Sequence, residues 1–578
     1  MEHPGVTMFN EDAFIFREQP TLNQRLGRRA TIYHEVAHQW FGDYVTMRWF
    51  DDLWLKEGFA TYMAAKMQER EHLPNPWMSF YLRNKPAAYD VDLTAGTTPI
   101  WQQLANLDQA KSNYGAIVYN KAPGVLKQLN YLVGDSAFQV GVHRFLIEHA
   151  YGNATWRDLL DAIGTAAHQP LADWGKQYIL RPGMPIIEQR VEVRNGKIRR
   201  LLLVQRPAQP GLSGPGPWPI RTQVALVTHG AMHLIPVVLR YDTTEVRQAA
   251  GLPAPDFVFA NANDYAYALV LPDSASTVWL EQHIGSVHDD FSRAMLWGAL
   301  WHLVREARLS PSRFVAAAMR ALPDEHDEQL AAGIVTRLRR GLQAYLSPAD
   351  HDAAMASVES LLLSGAGDTR NPYGMRRTQL DAFISLATTA SALARLDSWL
   401  DSSSAAGLPL REPSRWAIVT RLIARAAPNA EARFAAETRR DTTAGAKRRA
   451  FVAAAARPDS ATKREYFTRY FADSSLNEEW VTASLRAFND PEQHALTLQY
   501  LEPALDSLPW IQRNRRIFFL GSWLGAFIDG QRDPAALRVI DHYLAAHPSL
   551  RTDLRQKILQ SRDELERTVR IRAVYRTD

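Results

Sequence analysis

The hydrophobic period of this chain changes twice, and no other feature of the sequence constrains the fold as much. Up to about residue 185 apolar residues recur at helical spacing, as in Leu26, Ile32, Val36 and Trp40, and helices are expected over 21–41, 52–70 and 116–180 with breaks at Gly134 and Gly152-Asn153. From Ile186 the apolar residues alternate: Val191 and Val193, Leu201 and Leu203, Val224 and Leu226, Val237 and Leu239, Phe257 and Phe259, with turn signals at Asn195-Gly196 and His229-Gly230. The Pro- and Gly-rich stretch 207–219 suits a loop within that segment. From about Val278 helical spacing returns and holds to the end, punctuated by helix starts such as Ser310-Pro311, Ser347-Pro348 and Asn489-Asp490-Pro491. Such an order predicts a multidomain α+β protein: a mainly helical domain, a small antiparallel β module, and paired helices of HEAT or armadillo type. At 578 residues, three or so cores are expected.

Composition removes several classes of function. Lys and Arg number 66 against 62 Asp and Glu, a net charge of +4 that is scattered along the chain, so nucleic acid is not an implied partner. With no cysteine there is no disulfide, thiolate ligand or cysteine nucleophile; any metal site is built from His, Asp and Glu, and a reducing cytoplasm suits the chain. The apolar run at 517–528 is too short to span a membrane, and no transmembrane helix is expected. Glu2, Glu11 and Asp12 stand where a secretory signal carries basic residues, so a cytoplasmic location is expected.

The chemistry concentrates in Tyr33-His34-Glu35-Val36-Ala37-His38-Gln39-Trp40-Phe41-Gly42. His34 and His38 lie four apart, so on a helix both imidazoles project from one face and can bind one Zn²⁺, with Glu35 beside them. A hydrolytic zinc site needs a third protein ligand and an open position for water. Glu57 offers that ligand nineteen residues after His38, on the next expected helix. In that arrangement the metal acidifies a water whose proton Glu35 accepts while a polarised carbonyl is attacked. A chance H-E-x-x-H is expected in roughly one chain in forty of this composition, and a glutamate at one fixed downstream spacing cuts that to below about one in several hundred. The competing explanation is two surface histidines beside a salt-bridging glutamate.

These residues resemble the aminopeptidase N family of gluzincin zinc metallopeptidases. The resemblance rests on His-Glu-Val-Ala-His-Gln-Trp-Phe-Gly at 34–42, on Asp52-Leu53-Trp54-Leu55-Lys56-Glu57-Gly58-Phe59-Ala60, and on Tyr119-Asn120-Lys121. It implies a thermolysin-like, mainly helical catalytic domain over 1–185, a β-sandwich over 186–275 and a C-terminal α-helical superhelix over 276–578. It further implies hydrolysis of the first bond of peptides with a free N-terminus, one Zn²⁺ per chain on His34, His38 and Glu57, and Glu35 as general base. Tyr119 is implied as donor to the oxyanion. Tyr114 competes for that role, and Tyr119 is preferred because Lys121 follows two residues on. Glu2, at the end of a Gly-Ala-Met-Glu-Asn-like motif with His3 in the Asn position, is implied to hold the substrate's α-ammonium.

Several departures accompany the resemblance. It starts inside that motif, so the family's N-terminal β domain and the front of its catalytic domain are expected to be absent from these residues. Ala122-Pro123 replace Gly-Ala after Lys121 and are expected to shift the helix start and misplace the phenol. Lys56 replaces the usual Asn and is expected to be a solvated surface lysine, the alternative being a cation turned inward beside Glu57 that competes with Zn²⁺ for the carboxylate. A charged amine on Met1 is expected to compete with substrate for Glu2. A second reading is a non-catalytic remnant whose helical region binds a partner. A third keeps the metal for epoxide opening or internal peptide bonds, and Glu2 favours the exopeptidase over it.

Overall fold

The computed structural model describes residues 2–16, 18–73 and 75–576 and divides into two units, Met1–Leu303 and Val304–Asp578. In the first unit a capping box opens the helix Leu22–Ala37: Thr21 Oγ1 accepts from the Gln24 amide at 3.2 Å, and Gln24 Oε1 accepts from the Thr21 amide at 2.9 Å. Of its apolar series only Leu26 is buried, whereas Ile32, Val36 and Trp40 are 37%, 43% and 50% exposed. A second helix, Trp54–Arg70, is buried along most of its length. At Gly58 a Cβ would come within 2.8 Å of Ala122 Cβ and 3.2 Å of the Val118 carbonyl, so glycine is what lets this helix reach the segment carrying Tyr119.

That segment is a π-turn, Ile117–Lys121, running into the helix Ala122–Val133. Pro123 has no amide hydrogen, and in an α-helix its ring would collide with the carbonyl four residues back, which is that of Tyr119. The backbone widens instead, and the Ala122 amide donates to Ile117, five residues back. Regular helix therefore starts at Ala122, and the displaced turn carries the tyrosine. The expected break at Gly134 occurs with φ +86, and Gly152–Ala154 forms a short strand parallel to Val45–Met47.

The alternating segment forms two sheets. Strands β1 (Pro185–Arg194), β2 (Lys197–Pro207), β3 (Ile220–Thr228), β4 (Ala231–Leu239), β5 (Thr243–Glu245), β6 (Phe257–Phe259) and β7 (Leu269–Leu271) assemble as β7-β1-β2-β5 and β6-β3-β4. Both expected hairpin turns have two residues with positive φ, Asn195 and Gly196 at +51 and +71 and His229 and Gly230 at +49 and +78, the backbone that matches strand twist. The module is not wholly antiparallel: β7 pairs parallel to β1, Leu269 opposite Ile186. All three β7 residues are buried, as befits a parallel strand with no solvent face to produce alternation. The unit boundary falls within the helix Asp290–Arg305, and Tyr81 from the first helical part donates to the Met295 carbonyl at 3.3 Å.

In the second unit helices stack in sequence. Tyr373–Leu386 packs on Glu412–Ala424, which packs on Ala446–Ala455, then Glu478–Phe488, Phe519–Asp529 and Thr552–Val574. The core of the later part centres on Trp523, Phe527, Tyr470 and Phe488. Lys463 Nζ donates to the carbonyls of Ala455 and Phe488 at 2.9 and 2.8 Å, tying two helix C-termini together. The last helix returns to the start of the unit through Glu564, which pairs with Arg305 at 3.1 Å and Arg340 at 2.8 Å. A two-residue ladder, Ser404–Ala405 with Leu408–Pro409, interrupts a region expected to hold no strands. No described helix is long and apolar enough to cross a membrane.

One buried acid in the first unit sets a pH dependence. Asp52, in the turn before the helix Trp54–Arg70, has a buried Oδ1 with no hydrogen-bond partner, and burial pushes its carboxyl up to about 7 against the pull of the Trp156 backbone. The folded state thus holds this proton more tightly than the unfolded chain, so stability falls as pH rises from about 4 to about 7 and levels off above. Asp52→Asn is expected to raise the melting temperature at pH 8, relieving up to about 4 kcal/mol, and to change little at pH 4. An equal gap between variant and wild type at both pH values would remove the assignment.

Candidate metal centre

Helical spacing brings the two histidines together, and packing of the second helix brings the carboxylate. His34 Nε2 and His38 Nε2 lie 3.1 Å apart, and Glu57 Oε2 is 3.3 Å from each. His38 and Glu57 are nearly inaccessible, at 1% and 4% side-chain exposure, while His34 keeps 15%. These separations match the edge of a tetrahedron with ligand bonds of ~2.0–2.1 Å, which is about 3.3 Å.

The supporting contacts decide what the site can hold. His38 Nδ1 lies 3.0 Å from the Phe41 carbonyl, which only accepts, so Nδ1 carries the proton and a neutral ring turns its Nε2 lone pair toward Glu57. His34 Nδ1 is 3.2 Å from Thr61 Oγ1, one turn beyond Glu57 on the same helix. With their protons on Nδ1, the two imidazoles and the Glu57 carboxylate offer three donor atoms close enough to share one cation. The donor set therefore fits a divalent metal of zinc's preferences. Without the metal, burial tends to raise the Glu57 carboxyl, but hydrogen bonds from both histidines and the charges of His38 and Lys56 hold it far below the usual range. Burial tends to lower the His38 imidazole, and the Glu57 hydrogen bond and charge outweigh it, so its pKa is raised.

The remaining predicted residues gather around this trio. Carboxylate oxygens of Glu2 and Glu35 and a ring nitrogen of His38 all lie within 4.8 Å of one another. The Tyr119 ring centroid is 6.1 Å from that of His34, and its phenol hydrogen-bonds to Glu57. Burial, then the Glu57 charge, hold that phenol far above its ordinary value, so it keeps its proton. Pro123 thus does not carry Tyr119 away from the cluster. Tyr114 stands close by, its ring 6.3 Å from that of Tyr119. Met1 lies outside the described residues.

Lys56 departs from expectation. Its side chain is only 18% exposed; Nζ pairs with Glu2 Oε1 and lies 3.6 Å from Glu57 Oε1. Burial lowers its pKa, but the hydrogen bond to Glu2 and the Glu57 charge more than compensate, so the ammonium is held protonated. The reason is geometric: position 56 precedes Glu57 on a buried helix, and its stem runs across Gly42, where a Cβ would come within 3.3 Å of Lys56 Cγ and Cδ.

Three groups to which the sequence reading gave no contact of their own fix the site. Gln39 bridges the short hairpin of Glu2–His3 and Val6–Thr7, donating to the His3 carbonyl at 3.2 Å and accepting from the Gly5 amide at 3.0 Å. Lys121 is buried against Asp92 at 2.8 Å and donates to the Gly183 carbonyl at 2.8 Å, anchoring the π-turn beneath Tyr119. Thr61, four residues after Glu57, was legible as a residue on the same helix face.

Comparison with known proteins agrees with this architecture. Residues 1–178 match the peptidase family M1 domain, and residues 257–567 match the ERAP1-like C-terminal domain. Aminopeptidase N of Streptomyces lividans is 31% identical over 99% of this chain, which spans 68% of that protein. The chain belongs to peptidase family M1. Tricorn protease-interacting factor F2 of Thermoplasma volcanium is 30% identical over 56% of the chain and 39% of its own length. Probable aminopeptidase 1 of Sulfurisphaera tokodaii is 35% identical over 33% of the chain and 25% of its own length.

Proposed function

We propose that this chain is a Zn²⁺-dependent aminopeptidase that removes N-terminal residues from peptides. The observation that carries the reading is the convergence on His38 of two separate sets: the lone-pair trio of His34, His38 and Glu57, and the carboxylates of Glu35 and Glu2. His34, His38 and Glu57 would hold the zinc, which when bound polarises the scissile carbonyl and acidifies a water. Glu35 takes the proton of the attacking water and passes it to the leaving nitrogen. Tyr119, kept protonated by burial, donates to the oxyanion as the tetrahedral centre forms. Glu2 pairs with the substrate's α-ammonium and so restricts cleavage to the first bond. Within this reading 1–185 is the catalytic part, 186–275 the sandwich and 276–578 the helical superhelix.

The test compares a peptide with its N-acetylated form on protein loaded with metal. Metal analysis is expected to give about one Zn²⁺ per chain. Acetylation is expected to slow hydrolysis about a hundredfold or more, because it leaves Glu2 facing a neutral amide. Equal rates would return the endopeptidase reading, and bound zinc without turnover would return the non-catalytic one.

A further inference from the structure

The resemblance to zinc aminopeptidases assigns no task to Lys56, a charged group at this centre. Lys56 Nζ pairs with Glu2 Oε1 and lies 3.6 Å from Glu57 Oε1, a cation held between the amine anchor and a ligand carboxylate. We propose that Lys56 is a built-in competitor for the substrate's α-ammonium: it holds Glu2 when no peptide is bound and must be displaced before a free N-terminus can dock. This rests on the aminopeptidase reading and adds a determinant of substrate affinity to it.

Three observations carry the proposal. The first is chemical identity, since a lysine ammonium and a peptide α-ammonium offer the same charge and the same three donors, so both are drawn to the same carboxylate and repel each other beside it. The second is that fixed backbone brings the two side chains to the same place. Gln39 pins the hairpin carrying Glu2 through the His3 carbonyl and the Gly5 amide, at 3.2 and 3.0 Å. Gly42 gives the Lys56 stem its route, with a Cβ there reaching only 3.3 Å from Cγ and Cδ. The third is partial burial. Side-chain exposures of 18% and 21% leave the pair stronger than a surface ion pair yet open to solvent, so an arriving amine can exchange with it. The flexible four-carbon stem lets Lys56 swing away once Glu2 is taken, and mutual repulsion of two ammonium groups drives that movement.

Competition of this kind weakens ground-state binding and leaves the chemical step alone, so its signature is a KM effect without a matching kcat effect. Lys56→Asn and Lys56→Met in the zinc-loaded full chain are expected to lower KM for an L-leucine p-nitroanilide reporter about tenfold with kcat changed less than about twofold, while Lys56→Arg keeps the wild-type KM. A binding arm needs no turnover. In a Glu35→Gln background, calorimetric titration with L-leucinamide is expected to show about tenfold tighter binding when Lys56→Asn is added, and N-acetyl-L-leucinamide is expected to gain nothing. Unchanged KM and unchanged leucinamide affinity in both neutral variants would overturn the proposal. So would an equal gain for the acetylated compound, since the lysine would then act by bulk rather than charge. A leucinamide gain with no hydrolysis in any variant would support the competition and count against the aminopeptidase reading alone.

Discussion

Glu57→Ala is expected to abolish zinc binding at the proposed centre and, with it, the proposed hydrolysis. Glu57 Oε2 sits 3.3 Å from the Nε2 atoms of His34 and His38, and the side chain is almost wholly buried, so alanine removes one of the three donors that stand at ligand-edge distance. Apparent zinc affinities of ~10–16 kcal/mol shared over four ligands put the loss at roughly 10²- to 10³-fold or more. Competition against a calibrated chelator reads that change directly. A Glu57→Ala protein that holds zinc as tightly as wild type would show that the three lone pairs do not act as one site.

Glu35→Gln is expected to separate metal binding from chemistry. Glu35 is on the same helical turn as His34 but outside the trio with 3.1–3.3 Å separations, so zinc content should be unchanged. The amide matches the carboxylate in size and cannot accept a proton, so kcat should fall by roughly 10²- to 10⁴-fold. Because the lost interaction belongs to the transition state, kcat/KM should fall by the same factor. Full turnover in this variant would place the base elsewhere, and loss of zinc would make Glu35 part of the ligand set.

The sequence was most informative where a rule acts over one helical turn or one hairpin. His34 and His38 share a face because they are four apart in a helix, and Asn195-Gly196 and His229-Gly230 turn the chain because both pairs tolerate positive φ. Other local patterns gave spacing without a neighbour. Ile32, Val36 and Trp40 recur at helical intervals, yet all three are exposed, because periodicity shows which residues share a stripe and not what lies opposite it. Pro123 marked a disturbance, but not its form, a π-turn with the Tyr119 phenol on Glu57 and Lys121 on Asp92.

By itself, then, the sequence determined the ordering of helical, alternating and helical segments and the shared helix face of His34 and His38. Tertiary structure alone decided the charges around the centre: that Lys56 turns inward to Glu2 across 54 positions and that His34 is oriented by Thr61 across 27. It also made β7 pair parallel to β1. The physical reason is range. Turn and helix preferences act within about four residues, whereas the position of a cation beside a distant carboxylate follows from which buried surfaces pack and which groups that packing leaves to neutralise one another.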